Sequence, residues 1–134
     1  MLQTALGILI VLHGLVHLLY AGQSARLFEL QPGMKWPDGS WLFARLFEGR
    51  PLRILAAGCC ILADIGFTAG GLGVLNKQAW WPQVITGAAV FSTVLYIVFW
   101  DGVLKRLHDK GAVAVLINLA ILAAIHFWSP SLGF

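Results

Sequence analysis

Charged residues are scarce in this 134-residue sequence. Asp, Glu, Lys and Arg make up 11% of it, against about 25% in soluble proteins, and 59% of the residues are hydrophobic. The long apolar segments also lack the polar outer face that a helix in water needs. These deficits argue against a soluble domain, and the mean hydropathy of +0.81 is typical of an integral membrane protein.

Cysteine is also scarce, and familiar catalytic motifs are missing. The only two cysteines, Cys59 and Cys60, are adjacent in an apolar segment, where neighbouring side chains point about 100° apart and cannot easily bridge. We interpret them as packing residues. The sequence contains no Walker, zinc-finger, CxxC or His-Glu-x-x-His pattern. It therefore identifies no reaction and no cofactor.

Four apolar stretches are long enough, or nearly so, to cross a bilayer core of about 30 Å as helices. Aromatic residues near their ends are typical of the membrane interface. We predict an all-α integral membrane four-helix bundle that forms a single domain over residues 1–134. The predicted helices cover about residues 2–20, 51–75, 79–100 and 112–128.

Basic residues are distributed unevenly between the two sides of this predicted bundle. All but Lys77 lie in or beside the loops that follow helices 1 and 3. Because cytoplasmic loops are enriched in Lys and Arg, we predict that both termini are extracytoplasmic and that the membrane is a cell inner membrane. Lipid headgroups, rather than nucleic acid, are the expected partners of these residues. They are Arg26, Lys35, Arg45, Arg50, Arg53, Lys105, Arg106 and Lys110.

The first loop, residues 21–50, is too long for a simple connection and too apolar for free coil. Trp36-Pro37-Asp38-Gly39 is typical of a turn. Residues 41–48 are predicted to form a short interfacial helix with Ser40 or Asp38 as its N-cap. Its apolar side chains are expected to enter the headgroup boundary while Arg45 and Glu48 face water. Those side chains are Trp41, Leu42, Phe43, Leu46 and Phe47.

Polar side chains inside a bilayer are costly, so each is a functional candidate or a contact between helices. His13 and His17 share one face of helix 1 with glycines, which allow a neighbouring helix to approach closely. At about 1.5 Å per residue, His13 lies level with Thr93 and Asn118. We predict a polar pocket in the inner half of the bundle. Its candidate ligand-binding residues are His13, His17, Thr93, Tyr96 and Asn118.

Several roles stay open for this pocket. The leading one is non-enzymatic: the protein binds an apolar or amphiphilic partner, such as a lipid or quinone, or packs as a subunit of a homo-oligomer or larger membrane assembly. A metal-binding protein or membrane enzyme would use His13 and His17 with Asp101 or His108 as third ligand. Haem needs axial ligands on opposite faces of its ring, which two histidines on one helix face cannot provide. The histidines could also simply join helices.

Asp64 gives a further alternative, because it is an acidic residue near the middle of helix 2. A buried carboxyl group without a partner favours its neutral form. Small proton-coupled transporters use such a group, so Asp64 is the candidate for proton coupling. The structural alternative is a carboxyl group that hydrogen-bonds with Thr68, Thr86 or water.

Short motifs in all but the second helix carry a family resemblance. His13-Gly14-Leu15-Val16-His17, Trp80-Trp81, Trp100-Asp101 and Asn118 together resemble a group of small bacterial four-helix membrane proteins, and more loosely the DoxX-like proteins. The resemblance implies a four-helix bundle in a bacterial inner membrane, and it brings no catalytic residues with it. The segment from Trp36 to Arg50 departs from the shorter first loop of that group.

Overall fold

The chain is all-helical in the computed structural model, which describes residues 1–128. These residues form four α-helices and one 3-10 turn. Three of the α-helices are long and apolar enough to cross a membrane, and the fourth is a shorter apolar helix. The elements are α1 (Leu2–Ser24), α2 (Arg50–Leu75), α3 (Trp81–Val98), the 3-10 helix Leu107–Lys110 and α4 (Ala112–Trp128).

The helices pack in chain order, with α1 against α2, α2 against α3, and α3 against α4. Large apolar side chains cover the outside of this bundle; Leu9 on α1 is 63% exposed and Leu116 on α4 is 66% exposed. Several polar side chains, including those of His17 and Asn118, are fully buried. Water favours the opposite distribution, whereas a bilayer favours this one because every buried polar group must find its partner inside the protein.

Glycines set the close packing of α2 on two of its faces. A Cβ atom on Gly71 would lie 2.9 Å from the carbonyl oxygen of Gly7 in α1, and one on Gly66 would lie 2.9 Å from the Cβ of Ala88 in α3. Both distances are shorter than ordinary van der Waals contact, so a side chain at either position would push a neighbouring helix away. Both glycine faces of α2 therefore contact helices of the same chain.

The predicted helix bounds are accurate for α2 and α4 and less accurate for the other two. α1 continues to Ser24 rather than residue 20, and its last turn is held by polar contacts with the first loop and with the first turn of α2. Gln23 Nε2 donates to the carbonyl oxygen of Met34 at 2.9 Å, and Ser24 Oγ donates to that of Arg53 at 2.6 Å. α3 covers Trp81–Val98 rather than residues 79–100.

The interfacial helix predicted for residues 41–48 is wrong, because residues 41–46 form consecutive turns instead. Phe43 and Phe47 pack against a buried apolar cluster of the bundle, so their predicted position at the headgroup boundary is also wrong. Ser40 does act as a cap, since its Oγ accepts the backbone N–H groups of residues 42 and 43. Trp41 and Leu46 are exposed.

The first loop caps the C-terminal end of α3. This contact explains both why α3 ends at Val98 and why residues 41–46 form turns instead of a helix. Ser40 Oγ donates to the carbonyl oxygen of Val98, and Trp41 Nε1 donates to that of Ile97 at 2.7 Å. The backbone N–H of Trp41 also donates to the carbonyl oxygen of Trp100 at 2.9 Å. The last carbonyl groups of a helix have no partner within it, and here the loop supplies their donors. Residues 40 and 41 are therefore fixed by α3.

Both long loops, residues 25–49 and 99–111, lie at the same end of the bundle and contact each other. The first turn of α2 lies at this end too. Together these segments contain all the Lys and Arg residues except Lys77. We call this end of the bundle the basic end.

Candidate functional site

Four of the five ligand-binding residues predicted from the sequence meet in one hydrogen-bonded group inside the bundle. His13 Nε2 lies 2.7 Å from Asn118 Oδ1, which joins α1 to α4. Asn118 Nδ2 donates to Ser92 Oγ at 2.9 Å and to Thr93 Oγ1 at 3.3 Å, which joins α4 to α3. His17 Nε2 lies 2.7 Å from Ser92 Oγ, which closes the group back to α1. We call this group the histidine centre; it consists of His13, His17, Ser92, Thr93 and Asn118.

The hydrogen bonds of the histidine centre determine which nitrogen of each ring carries the proton. Asn118 Oδ1 can only accept, so His13 is protonated at Nε2. The Nδ1 atom of His17 lies 3.0 Å from the carbonyl oxygen of His13, so this ring is protonated at Nδ1. Its Nε2 then accepts from Ser92, whose oxygen accepts from Asn118. Two neutral histidines in different tautomers satisfy every one of these contacts.

Thr93 fixes the orientation of the Asn118 amide. Its hydroxyl group donates to the carbonyl oxygen of Ala89 at 2.8 Å, so Thr93 Oγ1 can only accept from Asn118. The amide nitrogen must therefore point to α3 and its oxygen to His13. The polar groups of the histidine centre are already hydrogen-bonded to one another. The centre is therefore well suited to holding three helices together and poorly suited to receiving a ligand.

Aromatic rings surround the histidine centre and connect it to the basic end. The ring of Phe67 on α2 lies 4.7 Å from that of His13, and the ring of Tyr96 lies 5.8 Å from that of His17, between ring centres. Tyr96 thus lies beside the centre, as its sequence position predicts, but its buried hydroxyl group has no hydrogen-bond partner in the described chain. The ring centre of Trp36, in the first loop, lies 5.6 Å from that of Tyr96.

Ser92 is the residue of this centre that the predicted set omits, although it links His17 to Asn118. Its signal in the sequence is its position four residues before Tyr96, which places both side chains on one face of α3. Hydroxyl residues on a membrane helix commonly bond to their own backbone, as Thr93 does. The sequence alone therefore did not show whether Ser92 bonds to its own helix or to its neighbours.

Asp64 lies apart from the histidine centre. It is half-buried, and its Oδ1 accepts a hydrogen bond of 3.2 Å from Thr68 one turn later on α2. Both side chains lie against Gly14 of α1, where an added Cβ would be 3.2 Å from Asp64 Oδ1. The hydrogen bond to Thr68 agrees with the structural alternative. Proton coupling by Asp64 stays a prediction.

The third metal ligands considered from the sequence lie at the basic end and are already paired. Lys110 Nζ lies 2.9 Å from Asp101 Oδ1, and His108 Nε2 lies 3.1 Å from an oxygen of Asp109. Residues 1–128 contain no group of three or more His, Cys, Asp or Glu side chains that could hold a metal ion.

A cavity of about 270 Å³ opens between the two loops of the basic end. Its apolar lining includes Trp36 and Phe99, each only 3% exposed. Four basic and three acidic side chains complete the lining. The charged residues are Lys35, Lys105, Arg106, Lys110, Asp38, Asp101 and Asp109.

Ion pairs and burial set the charge of this cavity. Burial alone would raise the pKa of Asp101, but hydrogen bonds from Lys110 and from the N–H of Val103 outweigh it and hold that pKa below its ordinary value. Arg106 Nη2 contacts Asp109 at 2.7 Å. Burial raises the pKa of Asp38, although Arg26 and other cations nearby act in the opposite direction.

An apolar groove of about 290 Å³ runs beside the cavity, where the end of α3 faces the start of α4. Ile97 and Trp100 line one side, and Val115 and Leu116 line the other. Lys110 lines both the groove and the cavity. Two of its N–H groups bond to Asp101 and to the carbonyl oxygen of Val103, which leaves a third N–H for a ligand.

Comparison with protein-family models, with curated proteins and with solved structures finds no significant match to this chain.

Proposed function

We propose that this protein spans a membrane and binds an amphiphile at its basic end as a non-enzymatic membrane protein. One observation carries the proposal: an apolar groove and a charged cavity lie side by side and share Lys110. A lipid-like molecule has the same division, with a hydrocarbon chain beside a polar head. The chain would lie between α3 and α4, and the head would lie among the two loops.

The outer surface of the bundle supports insertion into a bilayer. Exposed leucines, isoleucines and valines line all four helices, and most of the charged side chains lie at the basic end. The 17 residues of α4 extend about 26 Å, a few ångströms less than the apolar core of a bilayer. By the positive-inside rule, the basic end faces the cytoplasm and both termini face away from it, as in a bacterial inner membrane.

The histidine centre has a structural role in this proposal. A ligand there would have to replace hydrogen bonds of 2.7 Å that His13 and His17 already make with α4 and α3. The groove presents no such competition, because its lining is almost entirely apolar. We therefore assign the amphiphile to the groove rather than to the pocket predicted around the histidines. The centre holds α3 and α4 at the spacing that the groove requires.

Filling the groove tests this function. In Leu116→Trp the larger ring would occupy the space of the hydrocarbon chain, whereas Leu119→Trp, on the same helix and outside the groove, is the matched control. Native mass spectrometry of protein purified in mild detergent would count the retained amphiphiles. We expect one per chain in the wild type and in Leu119→Trp, and none in Leu116→Trp. Equal retention by the two variants, or no retention by the wild type, would overturn the proposal.

A further inference from the structure

The cavity at the basic end has unpaired positive charge. Arg106 and Lys110 form ion pairs with acidic neighbours. Lys35 and Lys105 line the same cavity and have no ion-pair partner among residues 1–128. Of the three acidic residues in the lining, Asp101 and Asp109 are those paired with Lys110 and Arg106, and burial raises the pKa of the third, Asp38. The excess of unpaired positive charge over negative charge favours an anionic ligand. Phosphate is the commonest anionic group on a membrane amphiphile.

Two buried polar atoms of the cavity lining also lack hydrogen bonds. Trp36 Nε1 is a donor without a partner, and Asp109 Oδ1 is an acceptor without one. His108 Nε2 lies 3.1 Å from that oxygen but makes no hydrogen bond to it. A buried polar atom left unpaired is unfavourable, so such atoms mark places where a ligand can bind favourably. An acceptor is missing for Trp36 and a donor is missing for Asp109.

We propose that the cavity recognises a phosphate headgroup that also carries hydroxyl groups, as in a phosphoglycerol lipid. Phosphate oxygens would contact Lys35, Lys105 and the Trp36 N–H, and a headgroup hydroxyl would donate to Asp109. At about 270 Å³, the cavity is smaller than most pockets for drug-sized ligands, which suits a headgroup. This inference rests on the amphiphile binding proposed above and names the class of amphiphile.

Short-chain lipids that differ only in the headgroup test the inference on the whole protein in neutral detergent. Dioctanoyl phosphatidylglycerol has the anionic phosphate and two hydroxyls, dioctanoyl phosphatidylmethanol has the same charge without hydroxyls, and dioctanoyl phosphatidylcholine is neutral overall. We expect phosphatidylglycerol to bind about tenfold more tightly than phosphatidylmethanol and about a hundredfold more tightly than phosphatidylcholine, one factor of ten for each lost class of contact. Free glycerol 3-phosphate distinguishes a soluble phosphate ester from a lipid.

Variants assign these preferences to residues. Lys35→Gln and Lys105→Gln should each reduce the preference for the two anionic lipids over phosphatidylcholine. Trp36→Phe keeps the ring, removes the N–H donor and should weaken all three lipids by the same factor, because each has a phosphate group. Arg45→Gln, in the same loop but outside the cavity, is the matched control and should bind as the wild type does.

Each outcome has one meaning. Equal binding of all three lipids, with Leu116→Trp weakening each, would overturn the headgroup inference and leave the amphiphile function intact. Binding of glycerol 3-phosphate that depends on Lys35 and Lys105, with no lipid bound, would support the headgroup chemistry and overturn the amphiphile function. No binding of any probe would overturn both.

Discussion

Ser92 shows how much one hydroxyl group contributes when it connects three helices. It accepts from Asn118 and donates to His17, so Ser92→Ala removes two hydrogen bonds at once. Membrane hydrogen bonds average about 0.6 kcal/mol each, with a maximum near 1.7, so we expect the variant to lose about 1–2 kcal/mol of stability. Unfolding in mixed micelles with increasing dodecyl sulphate measures this loss.

The matched control for Ser92 is Thr86→Ala, which truncates a hydroxyl residue on the same helix outside the histidine centre. It should lose much less stability than Ser92→Ala. The same loss in both variants would show that the hydrogen bonds of the histidine centre contribute nothing specific.

Asp101 gives the basic end a dependence on pH. Its pKa in the folded protein is lowered, so its bond with Lys110 stabilises the fold fully above the unfolded pKa and is lost as the pH falls through the folded pKa. We expect the stability difference between wild type and Asp101→Asn to be constant near neutral pH and to shrink below about pH 4. Thermal unfolding across this range measures it; a difference that grows towards acid pH would contradict the assignment.

At the scale of the helices, glycine decides how closely α1 and α2 approach. In Gly71→Ala the new Cβ would lie 2.9 Å from the carbonyl oxygen of Gly7 and 3.0 Å from the backbone nitrogen of Val11. Backbone atoms cannot move unless the helix moves, so we expect a clear loss of stability, measured by unfolding in mixed micelles. Gly58→Ala, where a Cβ would meet nothing within 4 Å, is the control and should be as stable as the wild type.

Helices α2 and α4 were predictable because their apolar runs end at strong local signals. Pro51 lies in the first turn of α2, Asn76 follows its last residue, and Gly111 precedes α4. The histidine centre was predictable because helical spacing places His13 and His17 on one face and a rise of about 1.5 Å per residue matches their level to Asn118. Both inferences use only local geometry.

The first loop was not predictable from local geometry. Its conformation depends on contacts with α3, since Ser40 and Trp41 donate to carbonyl groups 56 to 58 residues away in sequence. An amphipathic pattern such as that of residues 41–48 favours a helix, but it carries no information about these long-range contacts. The burial of Trp36 against Tyr20 and Tyr96 likewise has no periodic signal in the sequence. The cavity it lines therefore could not be inferred from the sequence.

At the scale of the whole molecule, the distribution of basic residues predicts the orientation. All but Lys77 of the Lys and Arg residues lie at the basic end, which we expect in the cytoplasm. A C-terminal alkaline phosphatase fusion should then be active and a C-terminal green fluorescent fusion dark. The reverse pattern would place the cavity and groove on the extracytoplasmic side.

The central claim is that an amphiphile binds at the groove, and photo-crosslinking tests it most directly. A lipid with a diazirine in its acyl chain would be irradiated with the purified protein, and the labelled peptides would be mapped by mass spectrometry. We predict labels concentrated at Ile97, Trp100 and Leu116, which line the groove. Labels spread evenly over exposed apolar residues elsewhere, such as Leu9, Leu12 and Ile65, would contradict it.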